Sequence, residues 1–252
     1  MAESVCPHCG GSGWVVVERE GISGAERCEC TLADRPARLE ERAGIPPLYR
    51  NASFDNFLLP VDDPAAHRAL ANVLLTVRSY VRQFPATDKP GLLFIGDPGT
   101  GKTHLAVAAL RMLLARGFEG LFFDYQNLLD RIRASYDPTS GATDREAYRS
   151  ALEAEILLLD DLGAHRVTDW VEDTVTSIIT YRCNHRKPLI ATTNLRDPDA
   201  GDPPMPAGLG GELSSRHLLG ERIGMRARSR LFEMCKVIRM PVSDDYRLRK
   251  VR

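Results

Sequence analysis

Gly96-Asp97-Pro98-Gly99-Thr100-Gly101-Lys102-Thr103 is a glycine-rich octapeptide set between two apolar segments. Residues 91–95 form a continuous apolar run, and in residues 104–114 apolar side chains recur at helical spacing. The sequence G-x-x-x-x-G-K-[ST] between a buried strand and a helix is the pattern of a phosphate-binding P-loop. The alternative, a glycine-rich turn with an incidental lysine, explains neither flank. We therefore expect the chain to bind a nucleoside triphosphate.

The residue types of this loop suit a phosphate chain. We expect Gly96, Gly99 and Gly101 to adopt positive φ angles and to bring backbone N–H groups against phosphate oxygens. The helix that follows adds the positive end of its dipole. The Lys102 ammonium would reach the β- and γ-phosphates, and the Thr103 hydroxyl would coordinate Mg²⁺. The predicted ATP-binding residues are Gly96, Asp97, Pro98, Gly99, Thr100, Gly101, Lys102, Thr103 and His104.

A second apolar run ends in two carboxylates. Residues 155–161 read Glu-Ile-Leu-Leu-Leu-Asp-Asp, which predicts a buried strand of the Walker B type. Asp160 would hold Mg²⁺ through water, opposite Thr103. Asp161 would orient and deprotonate the attacking water as a general base. The alternative is a pair of acids that cap a following helix.

Length and composition fit an ordinary soluble globular protein. The chain has 252 residues, 43% of them hydrophobic and 27% charged, with a net charge of −1. This length can bury one full-sized α/β core and a small appendage. No segment approaches the roughly 20 apolar residues of a membrane span, and the first residues lack a signal-peptide pattern. We expect a cytoplasmic protein that does not contact membranes.

Four cysteines cluster in the first thirty residues as C-x-x-C and C-x-C. In a reducing compartment such pairs predict a Zn²⁺ site. The expected ligands are Cys6, Cys9, Cys28 and Cys30, in a small zinc ribbon with a turn at residues 21–24. Scattered buried cysteines in a disordered arm are the alternative. Cys183 and Cys235 lie in apolar patterns and are interpreted as core residues.

Strand and helix patterns alternate after the connector. We expect an α/β fold with a parallel sheet covered by helices on both faces. The predicted domains are a ribbon at 1–32, a connector at 33–60 and an ATPase domain at 61–252. Predicted strands are 91–95, 121–125, 155–161, 188–194 and 236–240. Predicted helices are 64–84, 104–114, 126–136, 143–154, 168–182 and 212–233, the last with breaks at Gly220 and Gly224, after a long loop at 197–211.

Together these motifs resemble an AAA+ ATPase, and more narrowly the DnaC/DnaI type of bacterial helicase loader, with IstB-type transposition helpers as relatives. The resemblance covers about residues 44–250 and includes Ala191-Thr192-Thr193-Asn194, the helix Arg226-Ala227-Arg228-Ser229-Arg230-Leu231 and Asp245-Tyr246-Arg247. It implies the AAA+ P-loop fold. The cysteine-rich N-terminus favours the loader branch.

The resemblance also implies roles for three further residues. Asn194 would be sensor 1, Arg226 the arginine finger that completes a neighbouring subunit's site, and Arg247 the sensor 2 arginine. The run R-x-R-x-R leaves the register open, so Arg228 or Arg230 is an alternative finger. A solvated basic face is the plain alternative for these arginines. The 197–211 segment is longer than the family pattern predicts.

The predicted helical pair at 126–154 lies where this group lines the pore of its ring. Basic and aromatic side chains there suit single-stranded DNA, although acidic neighbours offset the charge. These residues are Arg131, Arg133, Arg145, Arg149, Tyr136 and Tyr148. The expected partners are therefore a hexameric replicative DNA helicase, single-stranded DNA and further copies of the chain. A transposase helper, a small-molecule kinase and an adaptor with little hydrolysis are the alternatives.

Overall fold

The computed structural model describes residues 6–10, 12–19, 22–29, 35–134, 143–165, 167–201, 218–241 and 246. Within these residues the strands are β1 (Trp14–Arg19), β2 (Ile22–Arg27), β3 (Gly91–Ile95), β4 (Gly120–Asp124), β5 (Ile156–Asp160), β6 (Leu189–Thr193) and β7 (Cys235–Arg239). The helices are α1 (Arg35–Arg42), α2 (Pro64–Gln83), α3 (Lys102–Ala115), α4 (Tyr125–Ala134), α5 (Thr143–Glu153), α6 (Asp169–Asn184), α7 (Leu219–Ile223) and α8 (Met225–Met234). Short 3-10 turns span Pro47–Tyr49 and Pro198–Ala200.

The main sheet is parallel throughout, with strand order β4-β5-β6-β3-β7. Residues of β3 alternate between two apolar layers, because successive side chains of a strand point to opposite faces. Leu92 and Phe94 pack with α2 and α3, whereas Leu93 and Ile95 pack with α4, α5, α6, α7 and α8. The predicted α/β fold with both faces covered is confirmed.

The connector contributes to the core of this sheet. Ala43, Ile45, Ala52 and Phe54 are buried in the same apolar layer as α2 and α3. The Phe122 amide of β4 also donates a hydrogen bond to the Ala43 carbonyl. The domain limits 1–32, 33–60 and 61–252 stay predictions, but residues 43–54 pack physically with the sheet.

Two predicted glycine positions differ in the structure. Gly24 lies inside β2 opposite Val17, so the predicted turn at 21–24 is wrong, since the β1–β2 pairing already begins at Ile22 opposite Arg19. Gly220 lies inside α7, whereas Gly224 separates α7 from α8 with φ of 83°. With ψ of 146° as well, Gly224 has a backbone conformation that is essentially restricted to glycine, so the chain can turn there only with this residue. A Cβ at this position would also meet the end of the exposed Glu172 side chain of α6.

Arg182 stabilises the chain at the N-terminal ends of β5 and β6. Its side chain is fully buried. The guanidinium donates hydrogen bonds to five backbone carbonyls, at the end of α5 and just before β5 and β6. These carbonyls belong to Ala151, Leu152, Ala154, Glu155 and Pro188. Burial lowers the pKa of Arg182 to about 10, which still leaves it charged at neutral pH.

Of the two remaining cysteines, Cys235 is buried in the layer containing α6 and α8, and Cys183 packs against that layer with partial exposure. The interpretation as a core residue is confirmed for Cys235, whereas Cys183 lies at the border of the core. Among the described residues, no helix combines the length and apolar character needed to span a membrane.

Candidate functional site

The glycine-rich loop joins β3 to α3 at the edge where the parallel strands end. Gly99 and Gly101 adopt φ of 75° and 88°, as predicted. Gly96 does not have positive φ, so that part of the prediction is wrong. A Cβ at Gly96 would lie 2.7 Å from the Met240 Cβ, so glycine is needed there for close packing with the residue after β7. Gly101 is the N-cap of α3, and no side chain caps the helix.

Lys102 lies over this loop and is almost buried, with 5% of its surface exposed. Its Nζ donates a hydrogen bond of 2.8 Å to the Asp97 carbonyl oxygen. The Thr100 hydroxyl donates to the same carbonyl at 2.8 Å. The ammonium is thus held along the inner side of the loop that the sequence pattern predicts to cradle phosphates.

The two predicted acids lie at the end of β5, which is separated from β3 by β6: Asp160 is the last residue of the strand and Asp161 follows it. Asp160 is 7% exposed, and the Thr192 hydroxyl donates to its Oδ1 at 2.6 Å. Burial raises the pKa of Asp160, the charges of Asp161 and Asp124 add to this, and hydrogen bonds from Thr192 and Thr103 oppose it. Thr103 and Asp160 line the same cavity, as the prediction of a shared Mg²⁺ site requires.

Asp161 has an unusual backbone conformation, with φ of 55°. Its amide donates to the Thr192 Oγ1 at 2.9 Å, and its Oδ1 accepts a hydrogen bond of 3.1 Å from the Asn194 side-chain amide. A non-glycine residue is seldom found in this left-handed region. The conformation turns the Asp161 carboxylate toward Asn194 on the adjacent strand end. Sequence reasoning did not identify Thr192, which organises both acids.

One cavity of about 620 Å³ brings together the predicted residues from Pro98 to His104, the two acids and Asn194, whereas Gly96, Asp97 and Arg226 do not line it. Its lining includes Lys102, Thr103, Asp160, Asp161 and Asn194. A cavity of this size falls in the range of small-molecule sites. Lysine, hydroxyl, carboxylate and amide groups line it, which suits a polyphosphate with a divalent cation.

The connector also contributes to the lining of the cavity. Phe57 covers the loop so closely that a Cβ on Gly101 would lie 2.6 Å from its ring. The His104 Nε2 lies 2.8 Å from the Ser53 carbonyl oxygen, and its ring contacts Phe57 with 5.5 Å between centroids. The His104 side chain therefore holds the connector against α3, in addition to lining the cavity.

Tyr246 also lines this cavity, and its backbone N–H donates to the Gly99 carbonyl at 3.2 Å. The contact places Tyr246 beside the phosphate-binding loop. Apart from its place in Asp245-Tyr246-Arg247, the sequence gives no signal for it. Arg247, the predicted sensor 2 residue, lies outside the described residues.

The three arginines of α8 have different surroundings. The Arg228 guanidinium donates to the Asp197 carboxylate at 2.5 and 2.6 Å and lies over the Phe232 ring. Arg230 forms an exposed ion pair with Glu233 at 2.6 Å. Arg226 is exposed, and no described residue forms a hydrogen bond or ion pair with its side chain.

Two further arginines near the site were missed by sequence reasoning. Arg196, two residues after Asn194, pairs with the Asp97 carboxylate of the loop at 3.2 Å. Arg222 on α7 donates to the Gly163 and Ala164 carbonyls, just after the acidic pair. Both contacts join segments far apart in sequence, so no local pattern indicates them.

The N-terminal hairpin brings three cysteines together. The Sγ atoms of Cys6, Cys9 and Cys28 all lie within 4.8 Å of one another, and those of Cys6 and Cys28 are 3.8 Å apart. Two thiolates on one tetrahedral Zn²⁺, each at about 2.3 Å, would lie roughly 3.8 Å apart. The Gly13 amide donates to the Cys9 Sγ at 3.3 Å. Cys30, the predicted fourth ligand, lies outside the described residues.

Basic side chains of the predicted DNA-binding pair stack on aromatic rings. Arg133 lies over Trp170 at 4.7 Å, and Arg131 lies over Phe123 at 5.7 Å. Arg149 is exposed on α5. The Tyr148 hydroxyl bonds to the Ser177 hydroxyl at 2.8 Å. Tyr136 and the side chain of Arg145 lie outside the described part of the chain.

The sheet order, the loop between β3 and α3 and the acids after β5 define a P-loop nucleotide-binding domain of the AAA+ class. The family model described as IstB-like ATP binding protein matches residues 66–197, more than half of the chain. The chain therefore belongs to the family of IstB-like ATP-binding proteins, and the resemblance inferred from its motifs is confirmed.

Known proteins and solved structures are similar to this chain over much of its length. The chain is 27% identical over 157 residues to the replicative helicase loader DnaC of Escherichia coli (strain K12), covering 62% of this chain. It spans 61% of that relative's length. A crystal structure of the DnaC helicase loader matches with a TM-score of 0.61 and 31% identity, covering 78% of this chain and 100% of that one. A crystal structure of DnaI shares the fold, with a TM-score of 0.59, 20% identity and coverage of 82% and 99%.

Proposed function

We propose that this chain is an ATP-dependent loader of a hexameric replicative DNA helicase. The observation that carries the proposal is the match to the DnaC helicase loader, which extends over the whole of that crystal structure at 31% identity. The candidate nucleotide site supports it, because one cavity is lined by the lysine, the hydroxyl and the acids that are needed to bind and hydrolyse ATP. ATP would bind there, and hydrolysis would release the loader.

The residues present fit ATP and Mg²⁺. No side chain caps α3 at Gly101, so a phosphate group can take that place at the positive end of the helix. Lys102 would neutralise phosphate charge. The Thr103 hydroxyl and the Asp160 carboxylate are hard oxygen donors, which Mg²⁺ prefers, and they would hold it. When bound, Mg²⁺ neutralises charge that develops on the phosphates.

Asp161 would serve as the base of the hydrolytic step. Its carboxylate would orient a water molecule and accept its proton as the oxygen bonds to the γ-phosphorus. The bond from that phosphorus to the bridging oxygen of ADP breaks, which yields ADP and phosphate. The Asn194 amide fixes one carboxylate oxygen of Asp161, and Asp161 lines the cavity, so its other oxygen would be the one that accepts the proton. Asn194 would thereby act as sensor 1.

Arg226 is the proposed arginine finger. Arg228 and Arg230 are each engaged by a carboxylate of their own chain, whereas Arg226 extends from the exposed side of α8. A finger that completes a neighbour's site contributes on the order of 10³-fold or more to the rate. Arg226→Ala should therefore bind ATP but hydrolyse it poorly. Mixed with Lys102→Ala, it should regain activity where its intact loop meets the other chain's Arg226.

Single-stranded DNA and Zn²⁺ complete the proposal. Arg131 and Arg133 are held on aromatic rings at one end of α4, and Arg149 is exposed on α5. Cationic side chains of this kind can contact the phosphates of single-stranded DNA, and aromatic rings can stack on its unpaired bases. The hairpin with Cys6, Cys9 and Cys28 would bind Zn²⁺ and contact the helicase.

A second candidate is an ATPase that assists a transposase. The observation that favours it is the family model itself, which describes IstB-like proteins and matches residues 66–197. Affinity capture from a lysate with ATP and Mg²⁺, followed by mass spectrometry, separates the two. The loader proposal expects a replicative helicase, lost when Lys102→Ala is used as bait and retained with the exposed-lysine variant Lys236→Ala. Capture of a transposase instead would replace it. A helicase-loading assay on circular single-stranded DNA with the purified partner then tests the activity.

A further inference from the structure

The residues immediately after β6 contact three separate parts of the nucleotide site. Asn194 bonds to Asp161, which follows β5, and Arg196 pairs with Asp97 of the phosphate-binding loop. Asp197 bonds to Arg228 on α8. Within four residues the chain therefore links the acidic pair, the P-loop and the helix that carries Arg226.

The Asp197–Arg228 ion pair is more buried and has more hydrogen bonds than an ordinary surface ion pair. Asp197 is 3% exposed, and its two carboxylate oxygens accept the Nε and Nη2 of Arg228 at 2.5 and 2.6 Å. One of these oxygens also accepts the Ala200 amide at 3.2 Å. The Arg228 guanidinium lies 5.3 Å from the Phe232 ring centroid. A two-point contact between a planar guanidinium and a carboxylate fixes orientation as well as distance.

The first turn of α8 is held from other sides as well. Arg222 on the preceding helix α7 bonds to the Gly163 and Ala164 carbonyls, and Gly224 lies directly against Glu172 of α6. Arg226 lies between Gly224 and Arg228 in sequence. Residues on both sides of Arg226 in sequence therefore contact other parts of the fold, while its own side chain is exposed.

We propose that Asp197 and Arg228 are positioning residues, which hold α8 against the end of the sensor strand so that Arg226 is presented to a neighbouring subunit. The proposal rests on the function proposed above for Arg226. It gives the first residue of the 197–211 segment a definite role. It also assigns Arg228 a task different from that of a finger.

The test uses pairs of full-length chains, one lacking the phosphate lysine and one lacking the finger. Lys102→Ala supplies the finger, Arg226→Ala supplies the nucleotide site, and ATP hydrolysis of the mixture reports rescue. Asp197→Asn or Arg228→Gln is then added to one partner at a time. Added to the finger-supplying chain, either change should lower rescue roughly tenfold to hundredfold, since a displacement of about 1 Å at a reacting centre costs on that order. Added to the other chain, it should lower rescue less than threefold.

Matched variants keep the result interpretable. Glu233→Gln breaks the exposed ion pair with Arg230 on the same helix and should leave rescue unchanged. Arg228→Lys keeps the charge but not the two-point contact, and it should rescue to an intermediate level. Thermal unfolding and fluorescent-nucleotide binding are measured for each chain. A variant that unfolds early is replaced by the conservative one, so that a loss of rescue reports position rather than folding.

The outcomes separate the two proposals. If Arg226→Ala alone hydrolyses ATP like the wild type, the proposed finger is wrong and the positioning role is wrong with it. If the unmodified mixture shows rescue and the Asp197 and Arg228 variants supply the finger equally well, only the positioning role is wrong. Equal losses in both partners would assign the pair a general structural role and overturn the inference.

Discussion

The side-chain amide of Asn194 donates a hydrogen bond of 3.1 Å to Oδ1 of Asp161. The two residues are 33 positions apart and follow adjacent parallel strands, β6 and β5. Asp161 reaches this partner because its backbone is in the left-handed region, which a hydrogen bond from its amide to Thr192 holds in place. The proposed base and the proposed sensor are thus joined in a single hydrogen-bonded unit.

Replacing Asn194 by alanine should therefore slow hydrolysis more than it weakens binding. Without the amide, the Asp161 carboxylate loses its fixed orientation, and a misaligned general base loses roughly 10²-fold in rate. Binding of a fluorescent ATP analogue should change less than threefold, since Lys102 and the loop are untouched. Asn72→Ala on the exposed face of α2 is the matched control. Equal losses in binding and turnover would contradict this role for Asn194.

The raised pKa of Asp160 predicts a stability that depends on pH. A carboxyl whose folded-state pKa exceeds its unfolded value stabilises the fold when protonated, and that stability is lost as pH rises through the folded pKa. Burial is the main cause of the shift. With Mg²⁺ removed by a chelator, Asp160→Asn should be more stable than the wild type at neutral pH. The difference should shrink as pH falls into the ordinary range of an aspartate.

Urea denaturation at several pH values measures this difference in the free energy of unfolding. Asp88→Asn, at an exposed loop position, should show no comparable gain. Added Mg²⁺ with ATP should reverse the order by stabilising the wild type alone. A wild type more stable than Asp160→Asn at neutral pH without Mg²⁺ would refute the prediction.

Purified protein should contain about one Zn²⁺ per chain. The double variant Cys6→Ser, Cys9→Ser should lose the metal, because it removes two of the three thiolates that the hairpin brings together. Metal analysis by mass spectrometry measures the content, and Cys183→Ser is the control outside the cluster. ATP binding should survive in both variants, since the cavity contains no residue of the hairpin. Metal-free wild-type protein, prepared without chelators, would rule the site out.

Arg182→Ala should destabilise the fold by roughly 3 kcal/mol or more, because it empties a buried volume and leaves buried carbonyls without their donor. Arg182→Lys should recover only part of this loss, since one ammonium cannot reach all five carbonyls. Arg82→Ala, at an exposed position near the end of α2, should change stability by less than about 0.5 kcal/mol. Chemical denaturation of all three variants checks the order. A mild effect of Arg182→Ala would show that water replaces the guanidinium.

The chemistry along the strand ends followed from the sequence for a simple reason. Parallel strands place their carboxyl ends at one edge of the sheet, so a loop after β3 and acids after β5 had to meet. Local patterns carry that information. The contacts of Asp197 with Arg228 and of Tyr246 with Gly99 carry no such signal, because each joins segments that only tertiary packing brings together. Likewise, which of the three arginines of α8 is proposed as the finger depends on the carboxylates that contact Arg228 and Arg230 in the folded structure.

Glycine is required at position 96, but not for the reason that the sequence suggested. Gly99 and Gly101 allow the positive φ angles of the loop, whereas Gly96 allows the chain to pack closely against Met240. The first position of the motif is therefore tied to residue 240 rather than to phosphate. Among relatives, alanine at the first motif position should occur together with glycine at the position of Met240, because the nearest atom that the new Cβ would meet is the Met240 Cβ itself. A homologue with such a pair would keep the close packing between the loop and the residue after β7, and a motif search that demands glycine at the first position would miss it.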